Sequence, residues 1–382
     1  MAPHPSATDP LWVSLSEHPA RSDHDGLTAG YAAGGGGAPA EAPTLLAKAL
    51  DAAGDVPRAL ALLPDLAAVP LPGRGDTLGL WSTLASLAAV DLTVGRVVEP
   101  HLDALAILDQ GGLAPPAADC TWGVWAAHAP GSRLEATWTD DGVFRLHGTK
   151  PWCSLAQHVD HAVVTAHTSD TTRRAFVVDL GHPGATHDDA SGWVSRGLRD
   201  LVSVATHYDA VPATPVGQDD WYLQRPGFAW GGMGVAACWY GAAVGLARTL
   251  AVACGRREPD QVALMHLGSV DARLHAARAV LAEAAASVDA GLADGAAGAL
   301  LAARVRGVVA TTAEEVLTRV GHALGPGPLT TDAAHAARTA DLTVYLRQHH
   351  AERDEAALGR AALGGWLGSS GNPPTPGART PS

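Results

Sequence analysis

Residues 134–154 read LEATWTDDGVFRLHGTKPWCS. Apolar and polar residues alternate through LEATW and again through VFRLHG, the period of an extended chain with one buried face. Between the two runs stand Asp140, Asp141 and Gly142, a turn signal in which glycine supplies the left-handed backbone of a tight hairpin. The same period of two continues in HAVVTAH (161–167), RAFVVDL (174–180) and SVATHYDAV (203–211), each bounded by Gly, Pro, Asp or Ser. Residues 117–218 therefore read as a middle antiparallel β domain.

On both sides the period lengthens to that of a helix. Upstream, LLAKAL (45–50), DVPRALALLPDLAAV (55–69) and WSTLASLAAVDLTVGRVVEPHLDALAIL (81–108) place apolar residues at i, i+3 and i+4. Pro100 is expected to break this run or to open a new first turn. Downstream, long Ala- and Gly-rich apolar stretches recur from Gly227 to Gly364. The fold class is α+β, mainly α: an N-terminal helical domain (42–116), the β domain, and a C-terminal helical bundle (219–366). Residues 1–41 read as a disordered leader and 367–382 as a disordered tail, both rich in Pro, Gly and Ser. Strands inserted between two helical blocks must pack against both, so the junction is the natural cofactor cleft.

The 382 residues carry a formal net charge of -13 and contain no Lys/Arg run. That excludes nucleic acid as an expected partner and argues against CoA phosphates, unless a local patch offsets the balance. Four cysteines without close spacing read as reduced thiols, so no metal site is expected. No signal peptide and no uninterrupted apolar window of membrane length is apparent, so a cytoplasmic protein is expected.

Five segments resemble the acyl-CoA dehydrogenase family over about residues 64–363. They are Leu146-x-Gly148-x-Lys150-x-Trp152-Cys153-Ser154; Gly123–Gly131 (GVWAAHAPG); Gly197–Gly217 with Asp209, Val211 and Pro212; the small-residue helix ending at Arg256 and Arg257; and His322-Ala-Leu-Gly325-Pro326-Gly327. The resemblance implies FAD. Trp152 would lie beside the isoalloxazine and Ser154 would bond near its N5. The backbone around Trp125 and Ala126 would face its pyrimidine edge. Arg256 and Arg257 would reach the pyrophosphate, and His322 and Gly325 the ADP part, of a neighbouring subunit's FAD. A homodimer or homotetramer follows. Each motif alone also reads plainly as a core Trp, a turn Ser, a Gly-Pro helix stop or an Arg pair on a helix dipole.

The family's catalytic glutamate is missing. Eight residues after Asp341, where it commonly stands, lies His349, followed by His350; the alternative position near Gly231 holds no acid. A neutral imidazole can replace a carboxylate as base, so His349 is the first catalytic candidate and His350 the second. On a generic helix this HHAERDE run would be a solvated face. The leading expectation is dehydrogenation of a CH–CH group in a small-molecule substrate, acyl thioesters among the candidates. A flavin monooxygenase fed by a flavin-reductase or electron-transfer partner is the rival, with His101 pointing to its pocket. A flavin-binding scaffold without chemistry is the third reading.

Overall fold

The computed structural model describes residues 11–16, 39–256 and 258–366. Helices α1 (Ala42–Asp51), α2 (Val56–Leu60), α3 (Thr77–Val90) and α4 (Leu92–Gln110) form the first layer. The helix break falls at Asp91, whereas Pro100 lies inside α4. Asp91 is extended, and its carboxylate accepts the Val94 N–H at 3.1 Å, which caps the new helix. Dense burial along α4 holds the proline in place despite its missing N–H.

The middle strands are β1 (Trp122–Trp125), β2 (Leu134–Trp138), β3 (Phe144–Ser154), β4 (His161–His167), β5 (Arg173–Asp179), β6 (Ala185–His187) and β7 (Ser203–Val216). Leu134 pairs with Gly148 and Trp138 with Phe144, and Gly142 turns the hairpin at φ +78°. β5 pairs with both β4 and β7, so the sheet curls back on itself. Two pairings depart from the antiparallel expectation: β1 and β2 run parallel to β4. Parallel pairing needs a long crossover, and the β2–β3 hairpin supplies one between β1 and β4.

Helices α5 (Trp221–Gln224), α6 (Pro226–Gly255), α7 (Gln261–Asp289), α8 (Gly295–Leu324), α9 (Gly327–Thr331), α10 (Ala333–Tyr345) and α11 (Glu352–Trp366) follow. α6 and α8 are long and apolar enough to cross a membrane, yet 67% of the apolar window of α6 is buried inside the fold, as in a core helix. One hydrophobic core joins Leu87, Trp239 and Val305 of the helices to Val164, Phe176 and Val211 of the strands. The β domain is tied to the bundle at one point in particular. Asp341 accepts the Leu198 N–H at 2.6 Å, and a Cβ on Gly197 would stand 2.0 Å from the Ala340 carbonyl oxygen.

Residues 11–16 differ from the leader reading. They lie on the bundle with Trp12, Val13 and Leu15 buried. Val13 N–H donates to Ser86 Oγ at 2.8 Å and Leu15 N–H to Ser82 Oγ at 3.2 Å. Arg278 donates to the Leu15 carbonyl at 3.1 Å. The short apolar run LWVSL is hidden by the polar average around it. The rest of the leader before residue 39, and the 367–382 tail, lie outside the described residues.

Candidate functional site

α4 carries Arg96, Glu99 and Asp103 at i, i+3 and i+7, a spacing that puts all three on one helix face. That face lines a cavity of about 850 Å³, whose other walls come from α5, Arg225, α6, α8, Val124 of β1 and residues 348–357. Arg96 donates to Glu99 Oε2 at 2.5 Å, and its guanidinium lies 4.9 Å from the centroid of the Tyr345 ring. Burial pushes the Glu99 carboxyl up to about 7, against the opposing pull of Arg96. Burial also raises Asp103, with Arg225 pulling it back from 3.4 Å.

Arg306 of α8 builds the opposite wall. It donates to the carbonyls of Gly232 at 2.9 Å and Gln348 at 3.0 Å, and its guanidinium sits 4.7 Å from the Trp239 centroid. The segment after α10 is thereby fixed to two helices. His349 comes next in the chain and lines the cavity, its ring edge-on to Trp239 at 6.3 Å. His349 Nε2 stands 3.8 Å from Asp354 Oδ2, a charge contact longer than a hydrogen bond. Burial lowers the His349 pKa from its ordinary value; Asp354 opposes this and Arg306 adds to it. The shift favours the neutral imidazole, the form able to accept a proton. His350 also lines the cavity but is exposed, and its N–H donates to Asp354 Oδ2 at 3.1 Å.

The strand-side candidates form a second group: Val124 of β1 lines the cavity, while Trp125, Ala126, Trp152 and Ser154 do not. Trp125 is buried, and its Nε1 donates to the Ser154 carbonyl at 3.1 Å; Val124 beside it lines the cavity. Ala126 follows directly after β1 and is half-buried. Trp152 sits where the β3–β7 register shifts, at φ +59°, and is 59% exposed while Cys153 is buried. The bulge re-aims the strand so that Trp152 stands out. Ser154 Oγ lies 2.7 Å from Ser203 Oγ, which in turn reaches the Leu201 carbonyl at 3.1 Å. If Ser203 donates to Leu201, Ser154 keeps a free acceptor lone pair. If Ser203 turns to Ser154, the Ser154 proton is free to donate. An open aromatic face beside a hydroxyl that can either give or accept fits the edge of a flavin ring.

The remaining candidates lie elsewhere. Arg256 caps the end of α6 and is exposed. Arg257 lies outside the described residues. His322 is exposed, edge-on to His266 at 6.2 Å, and Gly325 ends α8 at φ +64°. A hollow of about 260 Å³ near Arg256 is lined by Glu258 and Asp260.

Arg96, Glu99, Asp103, Arg225 and Arg306 were not anticipated as site residues. The charged stripe on an otherwise apolar α4 was the available signal. His101, on another face of α4, opens instead into a separate cavity of about 330 Å³, where burial lowers its pKa to about 4.

Helices, a curled sheet and a helical bundle in this order, with a cleft at their junction, define the class: this chain has the acyl-CoA dehydrogenase fold. The solved structures it resembles include KijD3 in complex with FMN and dTDP-3-amino-2,3,6-trideoxy-4-keto-3-methyl-D-glucose, with TM-score 0.71 and 20% identity over 86% of this chain and 92% of that one. Butyryl-CoA dehydrogenase from Megasphaera elsdenii gives TM-score 0.67 and 18% identity, covering 81% of this chain and 88% of that one. Dibenzothiophene monooxygenase TdsC from Paenibacillus sp. A11-2, also solved with FMN, gives 0.64 and 17%, covering 82% and 97%. No family model and no curated protein matches the sequence.

Proposed function

We propose that this chain is a flavin-dependent oxidoreductase acting on a small polar substrate, with His349 as proton acceptor. The observation that carries the reading is the cavity itself. It reaches β1 at Val124, next in the chain to Trp125, whose Nε1 bonds the Ser154 carbonyl, and it holds an imidazole favoured in its neutral form at the position where the family's sequence pattern puts its catalytic base.

A bound flavin supplies two-electron redox chemistry. Trp152, Ser154 and the backbone of Trp125 and Ala126 would hold its ring. FAD would need Arg256, Arg257, His322 and Gly325 of a second subunit for its adenylate half, and hence a homo-oligomer; FMN would not. Within the cavity, Arg306 and Trp239 orient His349, and Asp354 stabilises the imidazolium formed when His349 takes a proton from the substrate.

The substrate class follows from the walls. Two acid–arginine pairs line the cavity among apolar residues such as Val124, Leu223 and Phe228. The charged groups favour a substrate with polar groups to meet them, beside an apolar part that fits the remaining walls. The missing carboxylate and the likeness to a monooxygenase support a second reading, in which a reductase partner delivers reduced flavin and oxygen is the co-substrate.

The test is an absorbance spectrum of the purified protein and anaerobic titration with small polar compounds and acyl thioesters. A flavin spectrum that bleaches with a polar compound is expected, with His349→Ala keeping flavin and losing bleaching. Oxygen uptake dependent on a flavin reductase, without anaerobic bleaching, would replace dehydrogenation by the second reading. A colourless protein that takes up no flavin removes both and leaves an inactive scaffold that kept the fold without the flavin.

A further inference from the structure

A second group of polar side chains converges outside the cavity, where β1, β4 and β5 meet. His167 and Arg173 face each other in the β4–β5 ladder. Arg173 Nη1 lies 2.7 Å from His128 Nε2. Arginine can only donate, so His128 accepts and is neutral. The His128 ring stands edge-on to His167 at 6.0 Å. Thr165, two residues before His167 on the same strand face, accepts from Lys150 Nζ through its carbonyl at 2.7 Å and its hydroxyl at 2.8 Å.

Four features of this cluster are unusual for a structural role alone. Lys150 is 1% exposed and retains a third N–H beyond its two bonds to Thr165. His167 Nδ1 is buried without a partner. The acids close in sequence or space are engaged: Glu135 and Asp170 pair with Arg133, and Asp220 receives the Arg173 backbone N–H. The groups also repel one another. After burial itself, Lys150, Arg173 and His167 all depress His128, and Arg133, Arg173 and Lys150 depress His167.

We propose that Lys150, His128, His167 and Arg173 form a binding site for a phosphate group. A bound phosphate would remove the mutual repulsion and accept from the arginine fork, the free ammonium N–H and the imidazoles. The chain carries a net charge of -13, so this cluster runs against its background. Two sources share the chemistry: the phosphate of the flavin, and a phosphate or diphosphate on the substrate. The first arm rests on the flavin reading; the second stands without it.

The full chain is titrated with riboflavin and with FMN by flavin fluorescence, and with inorganic pyrophosphate by calorimetry in the presence of riboflavin. Tighter binding of FMN than of riboflavin places the flavin phosphate here. Saturable pyrophosphate binding places a substrate phosphate here. In either case Arg173→Gln, a half-buried change, weakens the phosphate-dependent binding about tenfold or more and leaves riboflavin affinity unchanged. His128→Gln does the same, and circular dichroism confirms that both variants are folded. Pyrophosphate binding without riboflavin binding upholds this site while removing the flavin reading. Equal affinity for FMN and riboflavin with no pyrophosphate binding overturns the proposal, as does phosphate-dependent binding indifferent to both substitutions.

Discussion

Asp354 raises the pKa of His349, while the Glu99 carboxyl is itself raised by burial, and each effect can be tested alone. The His349 pKa lies below its ordinary 6.5 because burial outweighs the attraction of Asp354. A base acts when deprotonated, so substrate-driven flavin reduction should rise with pH through a midpoint below 6.5 and then level off. Removing Asp354 removes the largest of the influences that raise this pKa, ahead of Glu355 and Glu314. The limb in Asp354→Asn should therefore move to lower pH, and a limb that stays or moves upward would remove His349 as the titrating base. Glu99 has its folded pKa raised from 4.5 to about 7, so the native state holds a proton that the unfolded chain releases. Its contribution to stability is complete below pH 4.5 and is lost as pH rises towards 7. The stability difference between wild type and Glu99→Gln should change across that window, as read from urea midpoints at fixed pH intervals. A constant difference would show that Glu99 titrates normally. Neither role was legible from residue type alone, because both depend on burial that only the packed helices create.

At the scale of helices, α3 and α6 meet through small residues. A Cβ on Gly241 would stand 2.0 Å from the Ala85 carbonyl oxygen, and one on Gly245 would stand 2.8 Å from that of Ala89. Both pairs are spaced i, i+4, so the two helices touch backbone to backbone along one stripe. Gly241→Ala should force them apart and cost roughly 1–3 kcal/mol or more. Gly359 of α11 is exposed and an added Cβ there meets nothing within 4 Å. Gly359→Ala should stabilise by up to about 1 kcal/mol through helix propensity. Opposite signs in thermal melts are the expected result; a neutral Gly241→Ala would mean that the stripe is not closely packed. The alternation in 134–154 specified its hairpin well, because period and turn residue agree. Pro100 misled because a proline's local cost can be overridden when the surrounding helix is buried, while Asp91 set the real boundary through a cap that is only one residue long.

Over the whole molecule, the order of helical and extended blocks was legible because each block is long and keeps one period. What composition hid was the short segment that laces the bundle. Residues 11–16 sit in a Pro- and Gly-rich stretch, and their apolar character shows only over five residues. Yet Leu15 is fully buried, Val13 nearly so, and four polar groups on three different helices meet their backbone: Ser82 and Ser86 of α3, Arg248 of α6 and Arg278 of α7. Two of those groups are guanidiniums, which would lose carbonyl acceptors if the segment left. The segment therefore behaves as part of the core. Leu15→Ala should cost about 2–5 kcal/mol, the range for a buried leucine. Leu50→Ala, at a side chain 43% exposed, should change stability far less. Deleting residues 1–16 should lower the melting temperature at least as much as Leu15→Ala, since it also strands Arg278. Thermal unfolding of the three variants decides the matter: equal melting temperatures for the deletion and the wild type would mean that the segment does not hold the bundle in solution.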